Sequence, residues 1–317
     1  MNRRELLRRS AVLGVAGVPL AAASRLAQST TAATSAAAAA SGAEAVKSQP
    51  APLQPPATGS IPVAFLISDG AVVIDFCGPW EVFETVRILG RRDAAFQLYT
   101  VAETLRPVTA SGGMKIVPDF SFQTAPAPRV IVIPAQNGAG EAALDWIRRA
   151  TPSTDVTMSV CTGAFVLART GLLSGKPATT HHNSYTDLAL QFPDVQVRRG
   201  ARFVETGNLA SSGGLSSGID LALRVVDRYF GRPVAAQTAA YLEYQGHGWT
   251  DPDSNQMYRT RRISTAEHPL CPVCEMDVDP DSAPKSVYRG QTYYFCMPAH
   301  QAAFDAAPEK FLETLKS

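Results

Sequence analysis

Two groups of residues in this chain have the types and spacing for chemistry. The first centres on Cys161, in Thr157-Met158-Ser159-Val160-Cys161-Thr162-Gly163-Ala164, where an apolar run gives way to small residues and then to a helical pattern. A cysteine at a strand-to-helix turn has the layout of a nucleophile elbow. Such a turn presents the side chain above the sheet, and its amides and the helix N-terminus stabilise a thiolate and a developing oxyanion. The same position is also a common place for an inert core cysteine. Asp75, in Val73-Ile74-Asp75-Phe76-Cys77-Gly78-Pro79, and His181, twenty residues after Cys161, are the acid–base candidates, with Thr162 beside the sulfur. His181 is followed by His182, and a histidine pair at a strand end admits a structural role as well as a catalytic one. If Asp75 faces Cys161 across a partly dehydrated pocket, the two cannot both be ionised, so one of them holds a proton and Asp75 becomes a proton carrier. The second group is Cys271, Cys274, Cys296 and His300, spaced C-x2-C-x21-C-x3-H. Four such ligands suit a closed tetrahedral site, one pair on a knuckle and the other at a helix start.

The elements that must position Cys161 are legible from 61 onward. Apolar runs at 62–67, 96–101, 130–133 and 156–160 read as buried strands. Between them lie helical patterns: one starting at Pro79 with Trp80, Val82, Phe83, Val86 and Leu89 as its apolar face, then 139–150, 165–170 and 215–230, the last stopped by Gly231. Strands alternating with helices predict an α/β fold, a three-layer sandwich around a mainly parallel sheet, with reactive groups at the carboxyl ends of the strands.

Three segments together resemble the ThiJ/PfpI superfamily, the glutamine amidotransferase-like group of flavodoxin-like topology, and within it the isonitrile hydratase-like branch. They are Asp75-Phe76-Cys77-Gly78-Pro79-Trp80-Glu81-Val82-Phe83; Ser159-Val160-Cys161-Thr162-Gly163-Ala164 with Ala178-Thr179-Thr180-His181; and Ser216-Ser217-Gly218-Ile219-Asp220-Leu221. The resemblance implies an active site of Cys161, Thr162 and Asp75 and no cofactor in this domain. It also admits a homodimer. Thr162 stands where the protease branch has a histidine, which argues against peptidase chemistry. Two departures are visible. Pro134-Ala135-Gln136-Asn137-Gly138 replaces the paired glycines whose amide helps bind an oxyanion, and Cys77 stands where a smaller or hydroxyl residue is usual. Cys77 either packs quietly or meets Cys161 in an oxidised pair.

The last part of the chain is similar to the YHS domain, a small α+β metal-binding module, through Cys271-Pro272-Val273-Cys274, Tyr293-Tyr294-Phe295-Cys296 and the helical tail. Glu275 replaces a usual glycine, and His300 a usual cysteine. The resemblance implies zinc or copper at Cys271, Cys274, Cys296 and His300. In an oxidising compartment a disulfide between these cysteines is the alternative.

With 317 residues and a formal charge of +1 there is room for two domains and no single-signed field, so nucleic acid is not an expected partner. No helix-turn-helix pattern follows the first domain. Arg3-Arg4 ahead of an apolar stretch at 11–23 resembles a twin-arginine export signal, which implies the twin-arginine machinery as a partner and a periplasmic location. The expected organisation is a signal at 1–27, an Ala/Ser/Pro-rich tether at 28–60, the cysteine domain at 61–248, a linker at 249–268 and the metal module at 269–317. Two functions follow. One is a cysteine-dependent hydratase or hydrolase of a small carbon–nitrogen electrophile. The other is a non-enzymatic redox or metal sensor using Cys161 and the module's cysteines.

Overall fold

The structure is a computed structural model and describes residues 50–312 except Ile263 and Ala266. The expected export signal and the first part of the tether lie outside the described residues. Among the described residues no helix is long and apolar enough to cross a membrane.

The cysteine domain is built on a seven-stranded sheet. In chain order its strands are β1 (Ile61–Leu66), β2 (Phe96–Ala102), β3 (Phe120–Ser121), β4 (Val130–Ile133), β5 (Val156–Val160), β6 (Phe203–Thr206) and β7 (Leu209–Ser212), arranged β6-β7-β5-β4-β1-β2-β3. Every pairing is parallel except the β6–β7 hairpin at one edge. Side-chain alternation explains the two covered faces. Ile61, Val63, Phe65, Val130 and Val132 enter one core with helices α1 (Val73–Thr85), α5 (Ser217–Phe230) and α6 (Arg232–Tyr241). Ala64, Leu66, Ile131 and Ile133 enter the other with α2 (Glu141–Ala150), α3 (Gly163–Arg169) and α4 (Tyr185–Gln191). This is the expected three-layer arrangement.

The helix boundaries differ from the sequence reading: α2 begins at Glu141 rather than at 139, α3 spans Gly163–Arg169 rather than 165–170, and the other two shift with more consequence. The first helix starts at Val73 rather than at Pro79, which lies inside it, and ends at Thr85, so Leu89 is fully exposed beyond its end. Proline has no amide to give to the carbonyl of Asp75, four residues back, and the helix tolerates that one missing bond. The early start matters, because it places Asp75 in the first turn, over the strand ends. Helix α5 begins at Ser217, and residues 213–216 form a loop with Leu215 at φ +47°. Ahead of β1, the described end of the expected tether is bonded to α5. The Arg228 carbonyl accepts from the Leu53 amide at 2.8 Å, and the Arg228 guanidinium donates to the Ala51 carbonyl.

The C-terminal module has its own small core of Cys271, Val273, Cys274, Phe295, Phe304 and Phe311. It contains a hairpin of β8 (Lys285–Tyr288) and β9 (Gln291–Tyr294), followed by α7 (Pro298–Ala306) and α8 (Pro308–Leu312).

Candidate functional site

Cys161 follows β5 directly and has φ +57°, a left-handed conformation unusual for a residue with a side chain. The elbow is held from three directions. The Cys161 amide donates to the Gly213 carbonyl at 3.0 Å, and the Cys161 carbonyl accepts from the Thr180 hydroxyl at 2.9 Å. Gly163 packs so tightly on the end of β4 that a Cβ there would stand 2.2 Å from the Ile133 carbonyl oxygen. Glycine is therefore required for α3 to start where it does.

The sulfur is buried, with the residue 7% exposed, and it lies against the carboxyl of Asp75, which is wholly buried. Asp75 Oδ2 accepts the Ala135 amide at 3.1 Å, while Oδ1 has no hydrogen-bond partner. Burial pushes the Asp75 carboxyl up to about 6, against the pull of the Ala135 amide and the Cys161 thiol. Burial first, and then the Asp75 charge, push the Cys161 thiol up to about 11. The amides of Thr162 and Leu215 and the Thr162 hydroxyl point at the sulfur and draw it down, but burial and Asp75 outweigh them. The turn therefore does not produce a resting thiolate, which is a departure from the elbow expectation. At neutral pH the pair holds one proton on sulfur and one negative charge on Asp75.

His181 lies at the edge of this pocket. Its Nδ1 accepts the Asn183 amide at 3.3 Å, its ring stacks on His182 (centroids 4.3 Å apart), and His182 stacks on Tyr258 at 4.1 Å. The imidazole lies on Gly214, where a Cβ would be 2.2 Å from Cδ2. Burial holds His181 below the ordinary histidine range, so the ring is neutral near pH 7. No hydrogen bond joins it to Cys161. Cys77 and Cys161 are both free thiols, as are the three cysteines of the module. The Leu215 amide left no mark in residue type, with the paired Gly213-Gly214 the available sign of a loop beside the sulfur, whereas Ala135 lies in the segment 134–138 where the resemblance put an oxyanion-binding amide, and its amide goes to Asp75 instead.

In the module, Cys271 and Cys274 sit on a tight turn closed by the Cys271 amide to the Met276 carbonyl (2.9 Å) and the Glu275 amide to the Cys271 carbonyl (2.8 Å). Cys296 follows the hairpin, and His300 is in the first turn of α7. The four ligand atoms all lie within 4.8 Å of one another. Cys274 Sγ and Cys296 Sγ are 3.4 Å apart, and His300 Nδ1 is 3.1 Å from Cys296 Sγ and 3.7 Å from Cys271 Sγ. Tetrahedral zinc with sulfurs at roughly 2.3 Å needs sulfurs about 3.8 Å apart, so the donor set fits such an ion after its atoms shift by up to about an ångström. Hydrogen bonds from Cys274 and His300 hold the Cys271 thiol below its ordinary range, while the same pairing pushes the Cys274 thiol up, so that the two sulfurs share a proton.

A doubly covered parallel sheet with a buried cysteine on a left-handed elbow, faced by a carboxyl from the first helix, defines a flavodoxin-like α/β sandwich with a cysteine at its elbow. Residues 62–228 match the DJ-1/PfpI family, and the chain belongs to that family. Residues 271–314 match the YHS domain. Isonitrile hydratase of Pseudomonas putida is 34% identical over 190 residues, which is 58% of this chain and 79% of that protein. The HTH-type transcriptional regulator GbdR of Pseudomonas aeruginosa is 26% identical over 195 residues, and the match spans 50% of the regulator. Among solved structures, a ThiJ/PfpI family protein from Pseudomonas syringae superposes with a TM-score of 0.53 at 27% identity, over 59% of this chain and 76% of that one. Drosophila melanogaster DJ-1beta, at 19% identity and a TM-score of 0.51, shares the fold.

Proposed function

We propose that the protein is a cysteine-dependent hydratase of a small carbon–nitrogen electrophile, with an organic isonitrile as the substrate class. The observation that carries this reading is the buried Asp75–Cys161 pair, in which the Ala135 amide holds Asp75 Oδ2 and the carboxyl interacts with the thiol. The Asp75 carboxylate takes the thiol proton as sulfur bonds to the terminal carbon of R–N≡C, and delivers that proton to the same carbon. The product is a thioimidate, R–N=CH–S–Cys161. Water then adds across the C=N bond, its oxygen to carbon and a proton to nitrogen. Breaking the C–S bond releases R–NH–CHO, and the hydroxyl proton returns to sulfur through Asp75. The Thr162 and Leu215 amides stabilise charge on the sulfur as it attacks and leaves. An isonitrile has no carbonyl oxygen, so this chemistry does not call on the Ala135 amide, which is committed to Asp75. The likeness to isonitrile hydratase supports the same substrate class.

The test is turnover of an alkyl isonitrile by the purified chain, followed as N-alkylformamide, with Cys161→Ser as control. A chain that makes no formamide but accumulates a sulfenate at Cys161 under peroxide would favour the sensor reading instead. Burial and an elevated thiol weigh against a sensor, since peroxide sensing needs an exposed thiolate.

The YHS module is proposed as a zinc or copper site held by Cys271, Cys274, Cys296 and His300; the ion's contribution is to fold the module by drawing its four ligands together. Export by the twin-arginine route to the periplasm is proposed from Arg3-Arg4 and the apolar stretch behind them. Replacing both arginines by lysine is expected to keep the protein in the cytoplasmic fraction of a bacterial host. An unchanged distribution would remove the export reading.

A further inference from the structure

One short segment touches both centres. At its start, Thr180 holds the Cys161 carbonyl, and the His181 ring lies on Gly214, next to the Leu215 amide that faces the sulfur. At its end, in α4, Asp187 Oδ1 accepts from His300 Nε2 at 2.8 Å, and Leu190, one turn on, packs against the module's core. Between them Tyr185 is buried, its hydroxyl accepting the Gly200 amide at 3.2 Å and its ring lying 5.0 Å from the Arg199 guanidinium. Residues 180–187 thus run as a packed strut from the Cys161 pocket to the metal ligands.

The imidazole of His300 is divided between two tasks. Nδ1 faces the sulfurs of Cys271 and Cys296, and Nε2–H goes to a carboxylate that belongs to the other domain. A carboxylate on the far nitrogen fixes a ligand histidine's tautomer and ring orientation and strengthens it as a donor. A second contact clasps the same interface. Glu275 adopts φ +66°, where a residue with a Cβ is strained by roughly 1–2 kcal/mol. Its carboxylate accepts from Arg199 at 2.7 Å, from Arg261 at 3.0 Å and from the Arg262 amide at 3.0 Å. Glu275 and His300 are both used to hold the cysteine domain.

We propose that Asp187 is a positioning residue for the metal site and that an ion held by Cys271, Cys274, Cys296 and His300 locks residues 180–191 against the module, so that metal occupancy orders the segment framing Cys161. One ring orientation of His300 satisfies both the ion and Asp187. Ion binding and docking therefore favour each other, and the coupling is reciprocal. The test uses the full chain, stripped of metal and reloaded with zinc. Affinity is read by competition with a chromophoric chelator, and order by hydrogen exchange of residues 180–191. Asp187→Ala is expected to weaken zinc binding 10- to 100-fold, and zinc is expected to slow exchange in 180–191 in the wild type but not in the variant. Asp187→Asn keeps the side-chain shape and carries the same test if the alanine variant does not fold. Zinc affinity unchanged in the variants, or exchange in 180–191 indifferent to zinc in the wild type, overturns the proposal. Neither readout uses turnover, so failure of the hydratase reading and failure of this one are separable.

Discussion

The reactivity of this site rests on where one proton sits. An aspartate without solvent and a thiol without solvent each resist ionisation, and when they share a pocket the first charge goes to the carboxyl, held at about 6, rather than to the thiol at about 11. In the proposed reaction, attack therefore requires ionised Asp75 to take the thiol proton. Alkylation of Cys161 and kcat/KM are expected to fall about tenfold per pH unit below about 6 and to be flat from 7 to 9. Asp75→Asn should abolish that limb along with most of the activity, which pH profiles of the two proteins would show. The same shift makes Asp75 a cost to folding. Its carboxyl is raised, so the penalty is absent below the usual 3.8 and fully present above 6. Asp75→Asn is expected to stabilise the fold by up to about 3 kcal/mol at pH 7.5 and by about 1 kcal/mol at pH 4.5. Equal stability of the two proteins at pH 7.5 in urea would contradict the burial argument.

Among the elements, the elbow and the loop at 213–216 do most to set the pocket. Gly163 is the tightest point, since its missing side chain lets α3 approach the carbonyl end of β4. Gly163→Ala is expected to cost roughly 1–3 kcal/mol or more and to lower Cys161 alkylation. Gly171→Ala, at positive φ but with open space around it, should lose about 1 kcal/mol and leave the thiol unaffected. Chemical denaturation and iodoacetamide labelling separate the two cases. The strands and the elbow were legible because short apolar runs and a cysteine before small residues are local signals. The start of the first helix was not. Pro79 marks a helix start in isolation, and only packing against α5 and the strand ends carries the helix back to Val73 and brings Asp75 over the sulfur. The amide of Leu215 left no trace in residue type. Asp187 was hidden for a different reason: its partner, His300, belongs to another domain.

At the scale of the whole molecule, a domain with two large cores carries a module whose core is six residues, two of them metal-ligand candidates. Such a module has little apolar area to fold on, so an ion held by its four ligands would supply a large share of its stability. Chelation is expected to abolish hydrogen-exchange protection in the hairpin and helices at 285–312 while the central sheet stays protected. Full protection of the module in metal-free protein would show that it folds without an ion. In the proposed reaction the chemistry of the cysteine domain is carried by Cys161, Asp75 and the amides around them. Quenching a reaction with an alkyl isonitrile and digesting the protein for mass spectrometry tests that claim most directly. The prediction is one substrate mass on the peptide bearing Cys161, formed and lost at the rate formamide appears. Formamide made by Cys161→Ser, or an adduct found on Cys77 with Cys161 untouched, would contradict it.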